Sequence, residues 1–185
     1  MTDLSSRRKF MQEALNAARQ SSARVSPNPR VGAVLVKGDK IIAQGWHNGP
    51  GTAHAEVMAI HAAGPATIGS TLYVTLEPCN HFGRTPPCTK AIIEAGISKV
   101  HVALSDPNPQ VSGRGTARLR QAGIDVIYDD EAQDDAAELN RPYLLDDEAS
   151  TVGDVKDRPI VRWQGGLFVW RIPIYQWSEG LVLRL

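Results

Sequence analysis

The stretch TLYVTLEPCNHFGRTPPCTKAIIEAGISKVHVAL, residues 71–104, decides how this chain folds. Thr71–Leu76 is β-branched, aromatic and aliphatic, and Glu77-Pro78 closes it, so it reads as a strand. Cys88–Ala95 lacks proline and glycine and stops at Gly96, which marks a helix end. Lys99–Leu104 is a second strand. Two strands joined through one helix are expected to lie parallel. The unit repeats once, with a helix over Gly115–Ala122 stopped by Gly123 and a strand over Ile124–Tyr128. An acidic helix over roughly Glu131–Asn140 follows.

Upstream, Val31–Val36 and Ile41–Trp46 flank Lys37-Gly38-Asp39-Lys40 and read as a β-hairpin. Phe10, Met11, Ala14, Leu15, Ala17 and Ala18 recur at helical spacing, which predicts an amphipathic helix over Ser6–Arg19. Ser26-Pro27-Asn28-Pro29 forbids helix and sets an extended or turning loop. Ala53–Ala63 is Ala-rich and ends at Gly64, a further helix. Strands alternating with single helices imply an α/β domain of three α/β/α layers around a central mixed sheet of about five strands.

The chain has 185 residues, 42% hydrophobic and 22% charged, with 20 Lys+Arg against 20 Asp+Glu. No net field draws it to nucleic acid or an anionic membrane. Two cysteines in a chain this long point to a cytoplasmic protein rather than a disulfide scaffold. Met1–Gln20 has no apolar core for a signal peptide, and no run has the length of a membrane span. Residues 1–145 are expected to form the domain, and residues 146–185 a polar linker and an aromatic-rich tail. Trp163, Trp170 and Trp177 are seven residues apart there, but Gly165, Gly166 and Pro173 argue against a long helix. Extended segments packing on the domain or on another subunit are expected, so the chain is read as a homo-oligomer.

Chemistry is concentrated in His54-Ala55-Glu56, in Pro78-Cys79 and in Cys88. Zinc accepts imidazole nitrogen and thiolate sulfur, and a catalytic site uses three protein ligands with one position open. His54, Cys79 and Cys88 supply three, and Glu56 lies close enough in sequence to serve as a base. A structural zinc module would need a closed four-ligand site, which is not evident here. A helical His is usually structural and buried cysteines are usually inert. The order H-x-E then P-C then C is nevertheless the signature of the zinc deaminases, whose Glu carries protons and does not bind metal. Glu56 is accordingly expected to take a proton from the attacking water, pass it to a ring nitrogen, and protonate departing ammonia.

The motif Pro78-Cys79-Asn80-His81-Phe82-Gly83-Arg84-Thr85-Pro86-Pro87-Cys88, with eight residues between the cysteines, narrows the family. Read with Pro27-Asn28-Pro29-Arg30-Val31-Gly32, Gly45-Trp46-His47 and Asp106-Pro107-Asn108-Pro109, it closely resembles the pyrimidine deaminase of riboflavin biosynthesis. The resemblance runs from about Phe10 to Tyr143 and implies the cytidine deaminase-like fold and Zn2+ as cofactor. The implied activity is hydrolytic deamination of 2,5-diamino-6-(5-phosphoribosylamino)pyrimidin-4(3H)-one to the 5-amino-uracil ribotide. Asn28, His47, His81, Asp106 and Asn108 occupy the positions of the family's substrate contacts. Asn and Asp can read ring edges, and His47, His81 or Arg84 could meet phosphate. Turn chemistry alone also accounts for Asn28, Asp106 and Asn108 before prolines, and His47 could simply be an exposed strand end. His61 and His101 lie outside the matched motifs and are read as structural.

Family members are often fused to a reductase domain. Arg158-Pro159-Ile160-Val161 looks like the entry to one, but the sequence stops at Leu185 and no reductase activity is expected of it. A paralogue deaminating another amino-pyrimidine remains a competing reading. A non-catalytic homologue serving as a binding or regulatory module is disfavoured by retention of His54, Glu56, Cys79 and Cys88. A nucleic-acid deaminase would place stacking aromatics and basic residues at the pocket, whereas here the aromatics cluster in the tail. The expected partner is a small phosphoribosylated pyrimidine, with no nucleic acid and no membrane.

Overall fold

A computed structural model of the chain describes residues 4–22, 25–83, 85–106 and 112–144. The expectations for residues 146–185, including the tryptophan-bearing tail, and those for Arg84 and Asn108 fall outside these residues. In order, the elements are α1 (Leu4–Arg19), β1 (Gly32–Lys37), β2 (Lys40–Trp46), α2 (Ala55–Ala63), β3 (Thr71–Val74), α3 (Cys88–Glu94), β4 (Lys99–Val102), α4 (Arg114–Gln121), β5 (Asp125–Tyr128) and α5 (Gln133–Leu139).

The five strands form one sheet in the order β2-β1-β3-β4-β5. β1 pairs antiparallel with both β2 and β3, whereas β3, β4 and β5 run parallel. The expected mixed sheet is therefore present, with parallel pairing where α3 joins β3 to β4 and α4 joins β4 to β5. β1 is buried from Gly32 to Val36, so Ala33-Val34-Leu35-Val36 reads as a continuous apolar run because both faces are covered. Leu72, Tyr73, Val74, Val100 and Val102 continue the core through β3 and β4.

Two close approaches set the layers. A Cβ on Gly32 would lie 2.0 Å from the Ala14 carbonyl oxygen of α1, and one on Gly45 would lie 2.3 Å from that of Ala55 in α2. Gly45 pairs with Ala33 across the ladder, one residue along from Gly32. Alternation of the pleat thus puts α1 and α2 on opposite faces. α3 packs on α2 and α4 on α3, while α5 packs on α1. Phe10, Met11 and Leu15 of α1 are buried, and each contributes about 1.5–3 kcal/mol by leaving water.

Element bounds differ from the sequence reading at informative places. The helix expected from Ala53 starts at Ala55, because His54 is its N-cap with extended backbone (φ −71°, ψ 161°). β3 ends at Val74, and the chain leaves the sheet through Thr75, whose hydroxyl accepts from Gly32 N at 3.1 Å. The acidic helix expected over roughly Glu131–Asn140 is present as α5, Gln133–Leu139, and its first residues belong to a 3-10 turn, Asp130–Ala132. Among the described residues no helix is long and apolar enough to cross a membrane.

Candidate active site

The antiparallel pairing of β1 with β2 and β3 brings four chain segments to one edge of the sheet. Ala33 lies beside Val74 and Gly32 beside Trp46, so the start of β1, the end of β2 and the end of β3 meet there. β4 ends at the same edge, where Glu77 N donates to Leu104 O at 2.9 Å. Asn28, His47, Cys79 and Asp106, far apart in sequence, consequently line one cleft of about 460 Å³. Such a crevice outside the carboxyl ends of parallel strands is the usual ligand site of an open α/β sheet.

His54 sits at the N-terminus of α2, Cys88 is the first residue of α3, and Cys79 lies in the loop after β3. His54 Nδ1 is 3.1 Å from Cys88 Sγ and 3.6 Å from Cys79 Sγ. The three ligand atoms lie within 4.8 Å of one another, the one cluster of this kind among the described residues. Zinc bonds of roughly 2.0 Å to nitrogen and 2.3 Å to sulfur at a tetrahedral angle separate N and S by about 3.5 Å. The donor types and their spacing therefore fit zinc. Two backbone amides at the start of α3 hold Cys79: Cys88 N donates to its sulfur at 3.4 Å and Thr89 N to its carbonyl at 3.2 Å. These donors and the helix N-terminus favour a thiolate.

The electrostatics agree. The Cys88 thiol, donating to Cys79 Sγ, pulls Cys79 down to about 4, with His54 adding to the effect. The same bond, together with burial, pushes Cys88 well above the ordinary thiol range. A metal bound there would take both sulfurs as thiolates and displace any thiol proton. His54 is raised by its bond to Cys79, against burial and with Glu56 nearby. Glu56, in the first turn of α2, is 3% exposed, and burial is the main reason its carboxyl is pushed up to about 6. A carboxyl so placed exchanges protons near neutral pH. His54 as the N-cap and Glu56 in the first turn of α2 both line the cleft.

The other expected site residues divide. Asn28, His47, His81 and Asp106 all line the cleft. His47 is buried, which lowers its pKa. As a neutral ring it donates from Nδ1 to Ala53 O at 3.3 Å and accepts at Nε2 from the Asn28 amide at 2.9 Å. Both nitrogens are thus engaged within the protein, and the Asn28 amide is oriented by the ring. His81 is exposed at the mouth. Asp106 is buried and accepts from Tyr143 Oη at 3.2 Å. His101 lies away from the cleft, buried and stacked on Tyr73 at 4.6 Å, with Asp129 at its Nδ1. His61 is exposed on α2.

Three further residues belong to this region. Glu77 accepts from the amides of Gly113, Gly115 and Thr116 at 3.0–3.1 Å and so fastens the Pro78-Cys79 loop to the start of α4. Thr85 Oγ1 is 3.3 Å from His54 Nε2. Tyr143 reaches the cleft from the chain beyond α5. Thr85 stands inside the motif that carries the cysteines and Glu77 directly precedes it, so their positions were available; Tyr143 carries no local signal.

Residues 4–104 match the family described as the cytidine and deoxycytidylate deaminase zinc-binding region. The chain is similar to the riboflavin biosynthesis protein RibD of Aquifex aeolicus, 52% identical over 135 residues that cover 73% of this chain and 38% of that protein. It thus spans little more than a third of the length of that relative. The diaminohydroxyphosphoribosylamino-pyrimidine deaminase of Buchnera aphidicola subsp. Schizaphis graminum is 50% identical over 117 residues, 63% of this chain and 80% of that one. Among solved structures, RibD of Acinetobacter baumannii matches with a TM-score of 0.75 at 45% identity, over 78% of this chain and 40% of the other.

Proposed function

Because the chain belongs to the cytidine and deoxycytidylate deaminase zinc-binding family, we propose that it hydrolytically deaminates the diaminopyrimidine ribotide of riboflavin biosynthesis. The observation that carries this reading is Glu56, a buried carboxyl beside a His/Cys/Cys cluster that opens on a cleft. The substrate class rests on the likeness to the Buchnera deaminase, most of whose length this chain matches.

His54, Cys79 and Cys88 would hold zinc. Bound there, zinc supplies a Lewis acid that acidifies the attacking water. Glu56 takes the proton that this water gives up as its oxygen bonds to the amine-bearing ring carbon. It delivers that proton to the neighbouring ring nitrogen, where it stays, and then carries the hydroxyl proton of the adduct to the departing amine. The C–N bond breaks, a carbonyl remains, and ammonia leaves, so one water is consumed per turnover. Asn28, with its amide nitrogen committed to His47, presents its carbonyl oxygen as an acceptor for substrate. Asp106 is the second polar wall, and His81 stands where the phosphoribosyl group would leave the cleft. Arg84 is proposed beside it as a phosphate ligand, and Asn108 as a ring contact, on motif position alone. A cytoplasmic setting accompanies this reading, since a site built on thiolates needs them reduced.

Ammonia release from the diaminopyrimidine ribotide, run beside cytidine, deoxycytidylate and single-stranded DNA, tests the assignment. Turnover of the ribotide, insensitive to moderate salt, is expected. Preference for another amino-pyrimidine would overturn the substrate, and no release from any of them would overturn the activity.

A further inference from the structure

We propose that Thr85 is a positioning residue for His54: its hydroxyl accepts the Nε2 proton and so holds the ring with the Nδ1 lone pair facing the two sulfurs. This rests on the zinc-site reading above. A neutral imidazole carries one N–H, and only the other nitrogen can bind metal. In this site the nitrogen facing Cys88 and Cys79, at 3.1 and 3.6 Å, is Nδ1. Nε2 must then carry the proton, and Thr85 Oγ1 at 3.3 Å stands there to take it. The partner of the second nitrogen commonly decides tautomer and ring direction in a metal-bound histidine.

The chain around Thr85 suits this task. Pro86 restricts Thr85 to extended backbone. Pro87 is the N-cap of α3 with φ −57°, and Cys88 follows at once. Two prolines in succession therefore fix the spacing between the hydroxyl that meets His54 and the sulfur that faces its other side. Gly83 N donates to Thr85 O at 3.3 Å and closes the loop on itself. His54 makes no side-chain bond to cap its own helix, so its ring direction is left to the sulfurs, the His47 ring edge at 5.2 Å and Thr85. The eight residues between Cys79 and Cys88 thereby acquire a chemical purpose, since they carry the hydroxyl and the two prolines that set its place.

The test compares full-length wild type with Thr85→Val, which keeps the branched shape and loses the hydroxyl, and with Thr85→Ser, which keeps the hydroxyl. Zinc dissociation constants are measured by chelator competition, and the imidazole tautomer of the zinc-loaded protein by long-range proton–nitrogen NMR. Thr85→Val is expected to bind zinc about 10–100-fold more weakly, the usual range for losing such a partner, and to lose the pure Nε2–H form. Thr85→Ser should stay within about threefold of wild type, a shift too small for a lost ligand partner. Equal affinity and tautomer in all three proteins, or a serine variant as weak as the valine one, would overturn the proposal. Wild type that holds no zinc would overturn it together with the metal reading. Tight zinc binding without ammonia release would instead overturn only the deaminase assignment.

Discussion

Replacing Glu77 by glutamine puts an amide NH2 where one acceptor oxygen stood. In the native chain one carboxylate oxygen accepts from Gly115 N and Thr116 N, both at 3.1 Å, and the other from Gly113 N at 3.0 Å. The glutamine can keep its oxygen on the pair of amides only by turning its own N–H groups toward Gly113 N, donor against donor. One amide left without a partner costs about 1–3 kcal/mol. Losing the charge at the start of α4 adds about 0.3–1 kcal/mol, and the two retained bonds weaken because charge-assisted bonds are the stronger kind. An amide costs less to desolvate than a carboxylate, which holds the total to about 2–4 kcal/mol. For a domain of this size that is a fall of roughly 4–16 °C in Tm. Urea and thermal unfolding, run with metal chelated so that zinc does not mask the loss, measure it. Glu77→Ala, which strips all three amides, should lose more. A glutamine variant within about 0.5 kcal/mol of wild type, the ordinary scatter of surface substitutions, would refute the claim that this carboxylate fastens the cysteine loop to α4.

Four other substitutions carry distinct signatures. A Cβ on Gly115 would lie 1.9 Å from the Pro78 carbonyl oxygen, whereas one on Gly113 (φ 73°) meets nothing; Gly115→Ala should lower both Tm and zinc per chain, and Gly113→Ala should cost only about 1–2 kcal/mol of left-handed strain with zinc retained. Glu56→Gln is expected to keep its zinc by metal analysis while ammonia release falls about 10²–10⁴-fold, and unchanged turnover would remove Glu56 from the mechanism. Burial raises Asp129, but hydrogen bonds from His101 and Arg7 outweigh it and hold the carboxyl below its usual value. A depressed carboxyl stabilises the fold above its unfolded pKa of about 3.9 and ceases to as pH falls through the lower folded value. The stability gap between wild type and Asp129→Asn should therefore be about 1.5–3 kcal/mol near neutrality and close in acid; a gap unchanged at pH 2 in urea titrations would contradict this pairing.

Much of this architecture is legible in residues 71–104, because strand, helix stop and strand follow one another there with proline and glycine at each break. Glycine stops at Gly64, Gly96 and Gly123 mark helix ends to within a residue or two, and all three have positive φ. The start of α2 was not legible: Ala53 and His54 have ordinary helix-compatible side chains, and the extended N-cap backbone of His54 accompanies a contact of its imidazole with sulfurs distant in sequence. The metal ligands were readable since their chemistry is scarce in this chain, which has two cysteines in all. His47 shows the opposite case. Its sequence position allows an exposed, cationic, phosphate-seeking ring, and its real environment, a neutral buried ring between Asn28 and Ala53, depends on contacts that no local pattern encodes.

The residues that signature reading passes over share one property: each ties a site-bearing segment to an element far away in the chain. Thr85 meets His54 across 31 positions, Glu77 meets Gly113 across 36, and Tyr143 meets Asp106 across 37. Asn140 clamps Arg30 from both sides, accepting from its amide at 2.7 Å and donating to its carbonyl at 3.0 Å, beside the Pro27-Asn28-Pro29 wall of the cleft. Polar ties of this kind are directional, so they set where a ligand points more sharply than apolar packing does, and misplacement by about 1 Å is costly to catalysis. It follows that His54, Glu56, Cys79 and Cys88 define what chemistry is available, while Thr85, Glu77, Asn140 and Tyr143 determine whether those groups are aimed. Substitutions at the second set should leave the signature intact and still degrade metal affinity or substrate binding, each at the segment it anchors.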